Sequence, residues 1–278
     1  MKPLIASSFA LLLAMVTTIP LAAQWPSYPT PGVPKGPDGK PDVKGPAPRA
    51  ADGHPDFTGV WVYTRRAGLP TPPPGGPLGQ ATTGSQFWDI STGMADPIPF
   101  QPWAREMLER RMAEHSKDNP DAHCLPMGFM QFHTHPQPRK IIQTPDVILI
   151  IYEANSGLRQ IFMDGRPLPG PDAEPWWYGY SVGKWEGDTL VVESRGFRDG
   201  EWLDVRGSPL TPSAKVTEKF RRPTYGSLEI EITVDDPKAY TKPWTVRIAQ
   251  RAMLNTELIE FICEERDATH YVGAEVKK

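Results

Sequence analysis

The chain has 278 residues, a formal net charge of -3, 33 prolines and only two cysteines. Its length permits one domain, or one domain with an embellishment. The near balance of charge argues against nucleic acid or an anionic membrane as a partner.

Taken in chain order, Lys2 precedes an apolar run over residues 4–16, and the small residues Ala22 and Ala23 follow at a short distance. Charge, short apolar core and small residues predict a secretory signal peptide over residues 1–23, and so a secreted or periplasmic protein. The run is short for a bilayer, which needs about 20 apolar residues, and no later stretch is long enough; no membrane span is expected. Residues 24–55 carry Pro26, Pro29, Pro31, Pro34, Pro37, Pro41, Pro46 and Pro48. Such a density of proline removes donors and fixes φ, which predicts a flexible tail, polyproline II or unstructured. A single β-rich domain is then expected over residues 56–270.

Residues 57–63 are aromatic and β-branched and read as the first strand. A second loop, 69–78, holds Pro72, Pro73 and Pro74. Residues 101–116 form the one good helix, with Pro102 suited to its first turn and Asn119-Pro120 beyond its end. Trp103, Met107 and Arg111 share one face, beside Leu108 and Met112, and predict a helix that covers a sheet edge or a barrel end.

From residue 140 the pattern is β throughout. Residues 147–153 are nearly continuous apolar, as in a strand buried on both faces. Residues 158–163 follow, then the turn dipeptide Asp164-Gly165. Residues 176–182 are aromatic, and a hairpin turns at Gly187-Asp188. Leu228, Ile230, Ile232 and Val234 alternate with Glu229, Glu231 and Thr233; residues 214–220, 244–249 and 257–263 behave similarly. The fold class expected is mainly β: an antiparallel barrel, lipocalin-like or similar, or a sandwich, with one covering helix and a Pro-rich N-terminal tail. A barrel is preferred because it removes exposed edges.

In an exported chain Cys124 and Cys263 are expected to form a disulfide between a central segment and the C-terminal strand, the alternative being two buried thiols. By chain-entropy arithmetic so long a loop gives roughly 4–5 kcal/mol.

The stretch Gly179-Tyr-Ser-Val-Gly-Lys-Trp-Glu-Gly-Asp-Thr-Leu-Val-Val192 is distinctive, as are Gln143-Thr-Pro145, Arg159-Gln-Ile161, Asp164-Gly-Arg166, Cys124-Leu-Pro126 and Glu260-Phe-Ile-Cys-Glu-Glu265. Together they resemble a family of secreted, hypothetical proteins of soil and environmental bacteria, over roughly residues 56–265. The resemblance implies export and brings no chemistry with it. The histidine pair at Phe132-His-Thr-His-Pro136 looks like a departure from that family.

Three groups of residues are candidates for chemistry. His133 and His135 are two apart, so on an extended segment they face the same way; with Glu153 or Asp164 they could hold a zinc or copper ion, or they are a surface feature. No other cofactor is expected. Glu218 and Glu260 interrupt apolar strand faces, between Val216 and Phe220 and between Leu258 and Ile262. Turned inward, each is a candidate general acid or base, with Arg159, Arg166, Arg221 and Arg247 as partners and Asp164 beside them, or else a structural ion pair. Trp176, Trp177 and Tyr178, with Tyr152 and Arg166, could line a site for a sugar-like, aromatic or terpenoid-like molecule, or pack a core. Gly179-Tyr-Ser-Val-Gly183 matches a nucleophile elbow in letters only, since strands flank Ser181 where a strand, a sharp turn and a helix are required.

Two readings of function follow: a barrel that binds a small organic ligand, or a cofactor-free lyase, isomerase or hydrolase using an inward carboxylate with Arg and His partners. A third makes the Pro-rich tail the working part of an envelope protein. The oligomeric state leaves no mark in the sequence.

Overall fold

The computed structural model describes residues 28–64 and 85–263. The expected signal peptide, the loop 69–78 and residues beyond 263 lie outside them.

Nine strands close into a barrel. They are β1 (Gly59–Thr64), β2 (Arg139–Gln143), β3 (Val147–Tyr152), β4 (Leu158–Phe162), β5 (Tyr180–Glu186), β6 (Thr189–Arg195), β9 (Lys215–Thr224), β10 (Ser227–Asp235) and β11 (Trp244–Met253). Between β6 and β9 the short strands β7 (Glu201–Trp202) and β8 (Pro209–Leu210) pair only with each other. Around the barrel the order is β1, β11, β10, β9, β6, β5, β4, β3, β2, and β2 returns to β1. All neighbours are antiparallel except β4 and β5, which run parallel and touch only at Ile161↔Ser181 and Phe162↔Val182.

Period-two alternation decides which side chains enter. In β10, Leu228, Ile230, Ile232 and Val234 are buried while Glu229 and Asp235 face water. The hairpin turn at Gly187-Asp188 sits between β5 and β6 as expected. β3 corrects one expectation: its burial alternates, with Ile148, Ile150 and Tyr152 inside and Val147, Leu149 and Ile151 half-buried, because β2 and β4 flank it in a wall with one outer face.

Helix α1 (Pro102–Ala113) starts where Pro102 allows and ends before His115 and Ser116, both in the left-handed region. It buries Ala104 and Leu108, whereas Trp103 and Met112 are exposed. Of the expected face, Met107 and Arg111 are half-buried but Trp103 is not: its indole lies along the surface and donates to Lys238 O at 2.8 Å. α1 leans on the β7–β8 hairpin, with Arg111 donating to Gly207 O at 2.7 Å and lying over the Trp202 ring.

A second helix, α2 (Phe129–Thr134), replaces the extended segment expected around the histidines. All six of its residues are buried, so it plugs the barrel rather than covering it. Arg139 donates to the carbonyls of His133, His135 and Gln137 at its C-terminal end, where a cation suits the helix dipole.

Residues 28–56 are not a free tail. Tyr225 and Gly226, in the β9–β10 turn, donate their backbone N–H groups to Gly45 O and Val43 O at 2.9 and 2.8 Å. Thr30 and Asn255 exchange hydrogen bonds, Arg49 grips Asp188 with two bonds of 2.8 Å, and the His54 ring stacks on Trp185 at 4.5 Å. Proline removes donors but leaves carbonyls, and the barrel turns supply the donors.

Cys124 and Cys263 are bridged, with Cα atoms 5.5 Å apart. Cys263 does not lie in a strand. Residues 254–263 run outside the barrel, held by the bridge, by Lys140–Glu257 and by Ile259 N–H donating to Glu153 at 3.0 Å.

Candidate functional site

Six consecutive strands in barrel order each send a polar side chain inward: Glu218 from β9, Ser194 from β6, Ser181 from β5, Arg159 from β4, Tyr152 from β3 and Arg139 from β2. Each sits on the buried face of an alternating strand, so the same periodicity that builds the core carries them in. Ser181 and Ser194 are direct cross-strand partners, their hydroxyls 2.8 Å apart. Arg139 and Tyr152 are likewise opposite each other.

Arg159 and Glu218 form the centre of this belt, at 1% and 0% side-chain exposure. The guanidinium grips both carboxylate oxygens, with Nη1 3.0 Å from Oε1. Its Nε lies 3.3 Å from Ser181 Oγ, and its Nη2 is also within reach of Ser181 Oγ at 3.0 Å and Ser194 Oγ at 3.1 Å. His133, brought in by α2, puts Nε2 2.9 Å from Glu218 Oε1. Burial alone would push the Glu218 carboxyl up, but the Arg159 charge and the His133 bond outweigh it and draw the pKa down to about 2. Burial holds the imidazole below its usual value against the pull of Glu218. His133 is thus neutral, and with an ionised partner its Nε2 carries the proton and donates it. Burial raises the Tyr152 phenol to about 12, against the pull of Arg159 and Arg139.

Glu201 behaves differently. It is buried where β7 meets the start of α2, and neither oxygen has a well-formed hydrogen bond. Burial drives its pKa well above the carboxylate range, opposed only by the Phe129 amide. The two chains pack closely here: a Cβ on Gly128 would lie 2.0 Å from Trp202 O.

Outside the belt, the barrel wall has a seam. β5 joins β4 only at Ile161 and Phe162, so Leu158, Arg159 and Gln160 have no strand partner on that side among the described residues. The gap is a groove of about 330 Å³ lined by these three residues and by Pro175, Trp176, Trp177, Tyr178 and Gly179. Leu158 is 51% exposed and Trp176 is also exposed. Tyr178 joins groove to interior, its ring 5.3 Å from Phe132 of α2 and 6.4 Å from Tyr152.

Of the residues expected in a site, the fold brings Glu218, Arg159, His133 and Tyr152 together, and sets Trp176, Trp177 and Tyr178 around the groove. Trp176 to Tyr178 form a turn and not the start of a strand. Asp164 and Arg166 belong to neither place. They form an exposed ion pair after β4, with Arg166 Nε 2.8 Å from Asp164 Oδ1 and its guanidinium over Phe162. Glu260 is exposed on the segment after β11, because the alternation of residues 257–263 is not that of a strand. His135 does not join His133: it meets Phe87 edge-on at 4.7 Å and accepts from Gln137 N–H at 3.1 Å. Among the described residues no three His, Cys, Asp or Glu side chains stand close enough to hold a metal ion.

Sequence reasoning missed Ser194, Arg139 and Glu201. The first two sit on alternating strand faces exactly as Glu218 does, and that was their signal; Glu201 lies in a two-residue strand that carries none. Ser181 is in β5, tied to Arg159 and Ser194, with no elbow around it. Comparison of the chain with protein-family models, with curated proteins and with solved structures finds no match.

Proposed function

We propose that this chain is an exported barrel that binds a small organic ligand in the groove over the β4–β5 seam. The observation that carries the reading is the groove itself: about 330 Å³, walled by Trp176, Trp177 and Tyr178, where β4 and β5 share only two paired positions. That volume lies in the range of small-molecule pockets, and flat side chains with polar tips are what such sites use. The Cys124–Cys263 bridge is typical of an oxidising compartment, which supports export to the periplasm or the medium and agrees with the secreted family that the 179–192 motif resembles.

Acid–base catalysis by Glu218 has less support. A carboxylate held at about 2 is a feeble base at neutral pH, and this one already accepts from Arg159 and His133. Its fully buried position favours an ionic clasp across the barrel.

The neutral flat dye N-phenyl-1-naphthylamine tests the reading. Its fluorescence is expected to rise saturably with the native chain and with Trp103→Ala, whose indole lies on α1 away from the groove. Trp176→Ala combined with Trp177→Ala is expected to lose about tenfold or more in affinity. Undiminished dye binding in the double variant counts against the groove.

A further inference from the structure

The groove is open because the chain ahead of β5 does not run along β4. Trp176 sits instead beside Phe197, its N–H donating to Gly196 O at 2.8 Å and its C=O accepting from Arg198 N–H at 3.0 Å. Gly179, at φ 66°, then turns the chain into β5. The edge of β4 that faces the groove is left as bare backbone. Tyr152 N–H donates to Gly157 O at 2.8 Å, and Met163 N–H to Asp146 O at 2.8 Å. Hydrogen-bonded pairs alternate along an antiparallel ladder, so Gly157, Arg159, Ile161 and Met163 turn their main-chain groups to β3, while Leu158 and Gln160 turn theirs to the groove. Neither the N–H nor the C=O of Leu158 has a hydrogen-bond partner among the described residues.

The rest of the lining is apolar surface and hydrogen-bonding groups without charge. The indole N–H groups of Trp176 and Trp177 and the carboxamide of Gln160 have no partner among the described residues. Arg159 lines the wall, but its guanidinium is turned inside onto Glu218, Ser181 and Ser194. No carboxylate belongs to the lining, so an ionised ligand group of either sign meets no counter-charge there. The N–H and C=O of Leu158, side by side on an edge, are matched by an amino-acid residue with an amide bond on each side of it. Such a residue exchanges both bonds at once, as an antiparallel partner does. Its side chain then lies beside that of Leu158 on the outer face, where Leu158 and Trp176 are exposed apolar surface.

We propose that the groove takes a short, uncharged peptide segment as an added strand on β4, with one residue paired to Leu158 and its apolar or aromatic side chain against Trp176 and Trp177. The indole N–H groups are then donors for the flanking carbonyls. The assignment rests on the ligand-binding reading of the groove and names the class of its ligand. A volume of about 330 Å³ is at the low end for ligand pockets and keeps the segment short.

N-acetyl-L-phenylalanine N-methylamide is a minimal segment of this kind. Its ester isostere, with oxygen in place of the acetyl-amide N–H, keeps the shape and loses the donor to Leu158 O. Titration of the purified chain with each, followed by calorimetry and tryptophan fluorescence, is expected to show saturable binding of the amide and about tenfold weaker binding of the ester. Leu158→Pro deletes the opposing N–H on an outward-facing edge, where proline is tolerated. Gly157 before it already has the extended backbone, φ -65° and ψ 138°, that a residue ahead of proline adopts. The variant is expected to weaken the amide by about fivefold and to leave N-phenyl-1-naphthylamine, which needs no backbone bond, unchanged. Equal affinity for amide and ester, or undiminished amide binding in Leu158→Pro, overturns the proposal. Amide binding that disappears as the chain dimerises at high concentration also overturns it, and assigns the edge to a second copy. Saturable N-phenyl-1-naphthylamine binding without amide binding overturns the peptide class and leaves the groove reading standing; failure of both the dye and the amide removes both.

Discussion

Glu218 and Glu201 are carboxyls buried against the same helix, and their surroundings drive them in opposite directions. Glu218 has Arg159 and His133 within hydrogen-bond reach, while Glu201 has no well-formed partner. The linkage signs follow. Glu218 falls from 4.5 to about 2 on folding, so its contribution is present above 4.5 and is lost as pH falls through about 2. Glu201 rises, so the unfolded chain gives up that proton near 4.5 while the folded chain keeps it, and stability declines as pH climbs above 4.5. Glu201→Gln, which mimics the protonated acid, is therefore expected to raise the melting temperature at pH 8 and leave it unchanged at pH 4. Glu218→Gln strands the Arg159 charge in the interior and is expected to cost roughly 3–5 kcal/mol in urea unfolding at pH 7. A melting temperature for Glu201→Gln that moves equally at both pH values removes the assignment of a buried neutral acid.

At the scale of elements, what could be read depended on repetition. Leu228 to Val234 alternates over enough residues to name its inner face, and Glu218 stood out because it broke a similar run in β9. Arg159 shares the buried face of Ile161, two residues on, although the sequence marked it only as one of four arginine partners for a carboxylate. α2 was not legible, because Phe129-Met-Gln-Phe-His-Thr134 is six residues long and buried all round, which leaves no polar face to set a period. What fixes α2 is contact: its entry at Gly128 is pressed against Trp202. Gly128 has an ordinary φ of -58°, so a side chain is barred there by space alone. Gly165 is the reverse case, at φ 79° with nothing near its Cβ position. Gly128→Ala is expected to cost about 3 kcal/mol or more, since backbone on both sides must move. Gly165→Ala is expected to cost about 1 kcal/mol, the strain of its φ alone. Chemical denaturation of the two variants measures the difference, and comparable losses would show that α2 has room to shift.

For the whole molecule, the misread segment is the Pro-rich one, and the reason is physical. Composition reports that residues 28–55 cannot build a regular strand, and they make only the isolated bridges Lys35↔Pro41 and Arg49↔Pro55; it does not report that a neighbouring barrel end has donors to offer. The strap crosses that end from Thr30 at Asn255, past the β9–β10 turn at Val43 and Gly45, to Arg49 and His54 at the β5–β6 turn. Phe57, next in the chain, then packs 5.5 Å from Trp185 and caps the core against Phe220. A strap so placed joins three turns that are far apart in sequence, and the disulfide does similar work at the segment after β11. Deleting residues 28–55 is expected to lower stability by roughly 2–3 kcal/mol or more, from the hydrogen bonds at Val43, Gly45 and Thr30 and one ring stack, and to shift tryptophan emission to the red as Trp185 loses its His54 cover. Arg49→Ala removes only an exposed ion pair and is expected to cost under about 1 kcal/mol. Urea unfolding of the deletion and of the point variant separates the strap's backbone contribution from its charge. An unchanged unfolding midpoint in the deletion would return the segment to the passive tail that its prolines suggest.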